Sequence, residues 1–297
     1  MILIQLLGGL GNQMFQYAAA KALAKHTKSK LLIDVHMLQQ TASTNNSITF
    51  RALELGLFKN IQECTATENI TVSFLSPSKK NKLLKKLGLP FKKVYEETAF
   101  TYEDSFFLQR SPVLLKGYFQ SEKYFAPISK TLRQSFTFPA LQPDDTNLRE
   151  LQHIQSSCAI SVHIRRGDYV NDIAINAVHG CCDIAYYTKA FAYMQQQLGT
   201  VAFVFFSDDP AWVNETFLRQ LPDSILIKNN DGADSWKDMY LMSKCRHHII
   251  ANSSFSWWGA WLNDNLDKKV IAPKIWFADE KRNKATTDLI PANWIRL

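Results

Sequence analysis

The apolar positions of the chain fall in short runs, not long stripes. Ile2 to Leu7 is such a run, stopped by Gly8-Gly9, and it reads as a buried strand. Gln13 to Lys25 is rich in alanine and reads as a helix, and Lys30 to Asp34 as a second strand. A strand, a glycine loop, a helix and a strand in that order predict a Rossmann-like opening. Residues 36 to 112 have little periodicity, which predicts irregular helices and loops. Val113 to Lys116 then reads as a strand and Glu122 to Phe136 as a helix.

Phe138 to Asp145 holds Pro139 and Pro143 beside two aspartates, and it breaks the pattern as a linker does. Beyond it the α/β rhythm is clear. Strands are expected at Cys158 to Ile164, Val201 to Phe206, Ile225 to Ile227, His248 to Ile250 and Lys269 to Ala272. Helices are expected at Ala185 to Leu198, Pro210 to Leu221, Trp236 to Lys244 and Phe255 to Leu266. The run Val201 to Phe206 is apolar throughout, as a parallel strand covered on both faces should be. No fixed-period repeat is visible. The class predicted is α/β with two Rossmann-like domains, at 1–140 and 150–297.

Composition is that of an ordinary globular protein: 297 residues, 46% hydrophobic and 12% aromatic. The formal net charge is +7. Lys79 to Lys93 carries seven lysines and no acid. That segment reads as a solvated basic loop, or as a weak attachment to an anionic membrane surface. The five cysteines are odd in number and form no CxxC pair, so a structural zinc or disulfide framework is not expected and a cytoplasmic, reducing setting is. No charged region precedes the first apolar run, and no run reaches the length of a membrane span. The protein is expected to be soluble, or peripheral at the inner face of the cytoplasmic membrane.

Four clusters carry chemistry. Gly8-Gly9-Leu10-Gly11-Asn12-Gln13 follows a strand and opens a helix, where main-chain amides can approach an anion. It fits a dinucleotide fingerprint only at Gly9 and Gly11, because Met14 stands where a third glycine belongs. A tight turn is an equal reading. His163-Ile164-Arg165-Arg166-Gly167-Asp168 closes a strand, the place where open α/β sheets bind ligands. Arginine there offers a planar fork matched to phosphate oxygens. Asn252-Ser253-Ser254-Phe255 follows a strand and starts a helix, so it can cap the helix or receive a phosphate. Trp257 and Trp258, next along, read as core. Asp209-Pro210 reads as a helix cap and start. Asp238 reads as a helix acid, and a carboxylate is also suited to the N1–H and 2-amino edge of guanine. There is no P-loop, no DxD and no GxSxG.

Taken in order, GGLGNQMFQYA at 8 to 18, GYFQSEKYF at 117 to 125, HIRRGDYV at 163 to 170, FFSDDPAWV at 205 to 213 and NSSFSWWGAWL at 252 to 262 resemble the α1,2-fucosyltransferases of glycosyltransferase family 11. The resemblance spans most of the chain. It implies a GT-B-like fold, with two Rossmann-like domains facing a cleft. It implies inverting transfer of L-fucose from GDP-β-L-fucose to O-2 of a terminal galactose, on an oligosaccharide or a lipid-linked glycan. No metal, other cofactor or nucleic acid is expected. The first domain would face the acceptor and the second would hold the donor.

By the same resemblance, Arg165 and Arg166 meet the diphosphate and His163 the nucleoside. Asp168 belongs to the donor site. Ser253, Ser254 and Phe255 cradle the phosphates, and Asp238 reads guanine. Gly11 and Asn12 border the reacting centre; Gly9 and Gly11 count among the donor-binding residues, and Asn12 joins Arg165 and Asp172 as catalytic. Some α1,6 relatives place a glutamate ten residues after the motif histidine. Ile173 stands there in this chain, with Asp172 beside it, so Asp172 becomes the candidate base. An NAD-dependent oxidoreductase and a non-catalytic nucleotide- or sugar-binding protein are the competing readings.

Overall fold

The structure is a computed structural model. It describes residues 1–40, 52–76, 79–221, 223–228 and 230–297, without the side chains of Gln39, Gln40 and Asp168. Two compact units divide the chain: Met1–Pro139 with Thr287–Leu289, and Ala140–Thr286 with Ile290–Leu297. Each is Rossmann-like, built on a parallel sheet, as the GT-B-like class requires.

In the first unit, β1 (Ile2–Gln5) and β2 (Leu31–Asp34) are buried along their whole length, and α1 (Leu10–His26) joins them. Then come α2 (His36–Gln40), α3 (Glu68–Leu75), α4 (Lys79–Lys86), β3 (Lys93–Glu96), β4 (Val113–Lys116) and α5 (Ser129–Ser135). The sheet order is β2-β1-β4-β3, every pair parallel. Leu3, Leu32 and Leu114, from three neighbouring strands, pack with Phe74 of α3.

The second unit runs α6 (Asn147–Ser156), β5 (Ala159–Ile164), α7 (Gly167–Asn171), α8 (Ile173–His179), α9 (Ile184–Leu198), β6 (Ala202–Ser207), α10 (Pro210–Thr216) and β7 (Ile225–Leu226). It continues with α11 (Trp236–Lys244), β8 (His247–Ile249), α12 (Ser254–Leu262), β9 (Val270–Ala272), α13 (Glu280–Lys284) and β10 (Ile295–Arg296). Its sheet order is β10-β9-β8-β5-β6-β7, again all parallel. Strand alternation splits the core in two. Ile160, Val162, Ile164, Phe203 and Phe205 face one cluster, and Ala159, Val204 and Phe206 face the other. Trp257 and Trp258 are fully buried, as their apolar setting predicts.

Four expectations are corrected. Residues 36 to 112 contain a strand and three helices among the described residues. Strand β3 alternates half-buried and exposed residues, and its sequence Lys-Val-Tyr-Glu puts a lysine on the half-buried side, so its apolar signal is faint. Glu122 to Phe136 is not one helix. Two 3₁₀ turns precede α5, the second with Pro127 in its first turn, where a missing N–H does no harm. Helix α12 stops at Leu262 because Asn263 turns extended, and its buried side chain donates to Cys245 O and to His248 Nε2. Helix α10 stops at Thr216, where Phe217 leaves helical geometry and enters the core.

Candidate functional site

The strand order of the second sheet sets one switch point. From β5 the chain builds outward through β6 to β7, then returns to the other side of β5 for β8, β9 and β10. The order therefore reverses between β5 and β8, and ligands of open α/β sheets bind outside the carboxyl ends of strands at such a reversal. Two of the sequence clusters leave the sheet there. His163 to Asp168 closes β5 and opens α7, and Asn252 to Phe255 links β8 to α12. Ser207 to Asp209 leaves β6, the neighbour of β5.

Arg165 is held by a residue that the sequence reading passed over. Its Nη1 pairs with Asp208 Oδ2 at 2.7 Å, and its guanidinium lies 5.4 Å from the centre of the Tyr169 ring. The other oxygen of Asp208 accepts the Arg166 main-chain N–H at 2.8 Å. The Arg166 side chain turns away, paired with Asp209 at 3.0 Å and lying 4.2 Å from Trp212. So the two adjacent arginines are positioned differently, each by one aspartate of the Asp208-Asp209 pair. Asp209 also caps α10, as expected, accepting from Trp212 N. Gly167 makes room for this arrangement: a Cβ on it would fall 2.6 Å from Asp208 Oδ2.

His163 shares a strand face with Ser161. It is buried, its ring 5.9 Å from that of Phe255. Burial, reinforced by the charge of Arg165, pushes its pKa down to about 3. It is therefore a neutral imidazole at any working pH, and its buried Nδ1 has no hydrogen-bond partner. Across the switch point Ser253 caps α12, its Oγ accepting from Phe255 N at 3.3 Å. Ser253, Ser254 and Phe255 are half-buried. Asn252 before them is buried, and its Nδ2 donates to the carbonyls of His179, Gly180 and Trp276 at 3.0 to 3.2 Å. That amide ties the α12 start to two loops. Only its place before the two serines singles it out in sequence.

Helices in a parallel α/β sheet run against the strands, so the first turns of α6 and α11 arrive at this same edge. Asp238 lies in the first turn of α11 and accepts from Asn230 Nδ2 at 2.7 Å. Asn230 exchanges two amide bonds of 2.9 Å with Asn147, whose Nδ2 also donates to Asp145. Asp145 in turn meets Lys237 at 2.9 Å. Desolvation raises the Asp238 pKa to about 7, against the lowering pull of the Asn230 bond, with Asp231 adding to the rise. Asp172 is the N-cap of α8, its Oδ1 accepting from Ala174 N and Ile175 N. That structural duty occupies one of its two oxygens. Asp168 lies in α7, with its side chain outside the described residues.

The first unit has a reversal of its own, between β1 and β4. Gly9 is the N-cap of α1 and Gly11 is buried within its first turn. Asn12 Oδ1 accepts from Gln120 Nε2 at 2.8 Å, across the ends of the two strands. Gln16 bridges them as well, accepting from Leu7 N and donating to Gly117 O. Here the sequence reading missed Glu97, just past β3. Its Oε2 accepts the N–H groups of Tyr118 and Phe119 at 2.7 and 2.9 Å, while its buried Oε1 has no partner. Burial lifts its pKa to about 7 against those two bonds. Gly117 adopts φ +148°, and a Cβ there would lie 2.5 Å from the Glu97 Cβ, so only glycine lets this carboxylate in. The signal was the glycine itself, inside a motif whose partner sits twenty residues upstream.

Among the described residues no three His, Cys, Asp or Glu side chains gather as metal ligands, and no helix is long and apolar enough to cross a membrane.

A strand end bearing two adjacent arginines and a capped helix start leave neighbouring strands at one switch point. Comparison with known proteins gives the chain a family. The profile of Glycosyl transferase family 11 matches residues 1–297. The chain is 35% identical to the O-antigen biosynthesis glycosyltransferase WbnK of Escherichia coli, with 98% of each chain covered. It is 33% identical to an alpha-1,2-colitosyltransferase of Escherichia coli, covering 100% of this chain and 98% of the relative. It is 26% identical to galactoside alpha-(1,2)-fucosyltransferase 2 of Bos taurus, over 87% of this chain and 68% of that one. Among solved structures, NodZ alpha-1,6-fucosyltransferase soaked with GDP-fucose aligns over 88% of this chain and 92% of its own, with a TM-score of 0.47 and 13% identity. The chain belongs to glycosyltransferase family 11. It is a glycosyltransferase, and the oxidoreductase and non-catalytic readings fall with that assignment.

Proposed function

We propose that the enzyme transfers L-fucose from GDP-β-L-fucose, with inversion, to O-2 of a terminal galactose on an oligosaccharide or lipid-linked glycan. The observation that carries this reading is the meeting of Arg165 and the Ser253–Phe255 helix start at one switch point. As the bond from fucose C1 to the β-phosphate oxygen breaks, the electron pair leaves with GDP and the phosphate gains negative charge. Arg165, preoriented by Asp208, and the α12 amides neutralise that charge, so the reaction needs no metal. The fucosyl centre becomes oxocarbenium-like. The galactose hydroxyl attacks from the opposite face and forms the new C1–O bond. Its proton passes to Asp172 through the oxygen that the helix cap leaves free, to Asp168, or late to solvent.

Within this reading the second unit binds the donor. Neutral His163 lies on the nucleoside side, and ionised Asp238 receives the N1–H and 2-amino donors of guanine. The first unit binds the acceptor, with Asn12 as its catalytic residue. The described cysteines, all free, suit a reducing cytoplasm.

A second donor is favoured by the 33% identity to a colitosyltransferase. Colitose is L-fucose without its 3-hydroxyl, so GDP-colitose differs from GDP-fucose by one polar group. A site that hydrogen-bonds that hydroxyl rejects the deoxy sugar by about 10⁴-fold, whereas one that leaves it in solvent takes both. The test offers both donors to a panel of galactosides, then determines product mass, linkage and anomer. An α1,2-fucosylated product is expected. Turnover of GDP-colitose alone, or a linkage other than α1,2, overturns the assignment.

A further inference from the structure

The basic segment singled out in sequence is one part of a larger surface that only the fold assembles. All strands of the first sheet are parallel, so their N-terminal ends share one edge, opposite the edge that carries Asn12, Gln120 and Glu97. Lys28 and Lys30 enter β2 at that edge, Lys92 and Lys93 enter β3, and Arg110 stands shortly before β4. Burial and the neighbouring charge of Arg110 together hold Lys93 below the usual lysine range, so these cations are close. Helix α4 with its five lysines is held there too, since Asn81 exchanges hydrogen bonds with the main chain of Lys92. The C-terminal end of α1 completes the edge, with His26 packed 5.3 Å from Phe107.

Apolar side chains interrupt these cations. Leu83 and Leu87 of the α4 region are 57% and 62% exposed, and Leu108 is 76% exposed. Leu75 and Leu89 are also exposed. Leucines standing free among lysines serve neither a solvated loop nor a plain polyanion groove. They suit a surface that is anionic at its rim and oily beneath, with lysine stems lying along the boundary. A second copy of the chain is a poor occupant, because a two-fold interface would set these lysines against themselves.

We infer that this edge of the first sheet docks on an anionic lipid bilayer, the lysines at the phosphate headgroups and Leu83, Leu87 and Leu108 in the layer below. The inference deepens the proposed acceptor class, a lipid-linked glycan. It places the membrane at one edge of the acceptor unit and leaves the opposite edge for the reaction.

The experiment is flotation of the full-length enzyme with vesicles of phosphatidylglycerol and phosphatidylcholine, or of phosphatidylcholine alone. Three proteins are compared: wild type, the triple variant Lys82→Gln/Lys85→Gln/Lys86→Gln, and the double variant Leu83→Ser/Leu87→Ser. These side chains are exposed, so the fold should persist. Wild type should float only with the anionic vesicles and detach in high salt. Each lysine near the surface strengthens binding about fivefold, so the triple variant should lose about a hundredfold in partition. The leucine variant should also lose at least tenfold, with its salt dependence kept. Turnover of GDP-fucose with a soluble galactoside should be the same in all three. Equal binding to both vesicle types, no binding to either, or full binding by the leucine variant overturns the docking surface. So does preference for duplex DNA over vesicles. Lack of turnover by the wild type counts against the proposed reaction and not against the surface.

Discussion

Arg165 has a near neighbour in size and charge, lysine, that makes a sharp probe of what it does. Its fork meets Asp208 at 2.7 Å, and a guanidinium is a planar donor matched to phosphate oxygens. Lysine keeps the charge and loses the planar pair of donors. Arg165→Lys should therefore bind GDP and fold normally, yet lose about 100- to 1,000-fold in kcat, the usual cost of one transition-state donor. Steady-state kinetics with GDP-fucose measure this, and near-normal turnover would remove Arg165 from the charge argument.

Asp238 supplies a second test, through pH. Its carboxyl titrates near 7 because it is desolvated, and guanine can be read only by the ionised form. GDP binding must then expel a proton below pH 7, so affinity should fall about tenfold per unit as the pH drops beneath that value. Calorimetric titrations at pH 8, 7, 6 and 5 should show this slope in the wild type and lose it in Asp238→Asn. A flat wild-type profile would separate Asp238 from the base. At this scale Arg165, Ser253 and Asp238 could be singled out as candidates because each lies in a motif or at a helix start. Asp208, Asn252 and Glu97 could not. Their partners are 43, 24 to 73, and 21 or 22 residues away in sequence, and a contact between such distant segments leaves no local trace.

Elements with a buried strand run or a clear apolar helix face could be read directly. Strands β5, β6 and β8 appear within a residue or two of their expected positions, and helix α11 to the residue. What escaped were elements whose inward face is thin or polar. Examples are β3 with its half-buried lysine, the two-residue β10, and α6, whose buried residues are only Asn147 and Ile154. Helix ends were misread where a side chain, not the backbone pattern, ends the helix, as Asn263 does after α12. The start of α12 depends on Asn252 in the same way. Asn252→Ala would strip three carbonyls of their buried donor. Each carbonyl left unsatisfied costs about 1–3 kcal/mol. The variant should melt several degrees lower and, with the α12 start loosened, bind GDP more weakly. A melting point and GDP affinity both equal to wild type would show that the tie is dispensable.

At the scale of the whole molecule there are two switch points, one in each parallel sheet. The order of elements told of two α/β halves. It did not tell that 287–289 belong with the first unit, nor that cations from separate segments share one sheet edge, since both follow from pairing between distant strands. Charge neutralisation by guanidinium and amides also makes a claim about the entire enzyme. Prolonged dialysis against EDTA should leave its rate with GDP-fucose and a galactoside within about twofold of the untreated enzyme, whereas loss of a cation at the diphosphate removes several kcal/mol of transition-state stabilisation. Activity that vanishes and returns with a divalent ion would refute this.

The most direct measurement is a crystal structure of the enzyme with GDP. The account predicts the β-phosphate within hydrogen-bonding distance of the Arg165 guanidinium and of the main-chain amides at Ser253 to Phe255. It also predicts guanine against Asp238, and no cation on the diphosphate. A nucleotide bound elsewhere, or phosphates bridged by a metal ion, would contradict it.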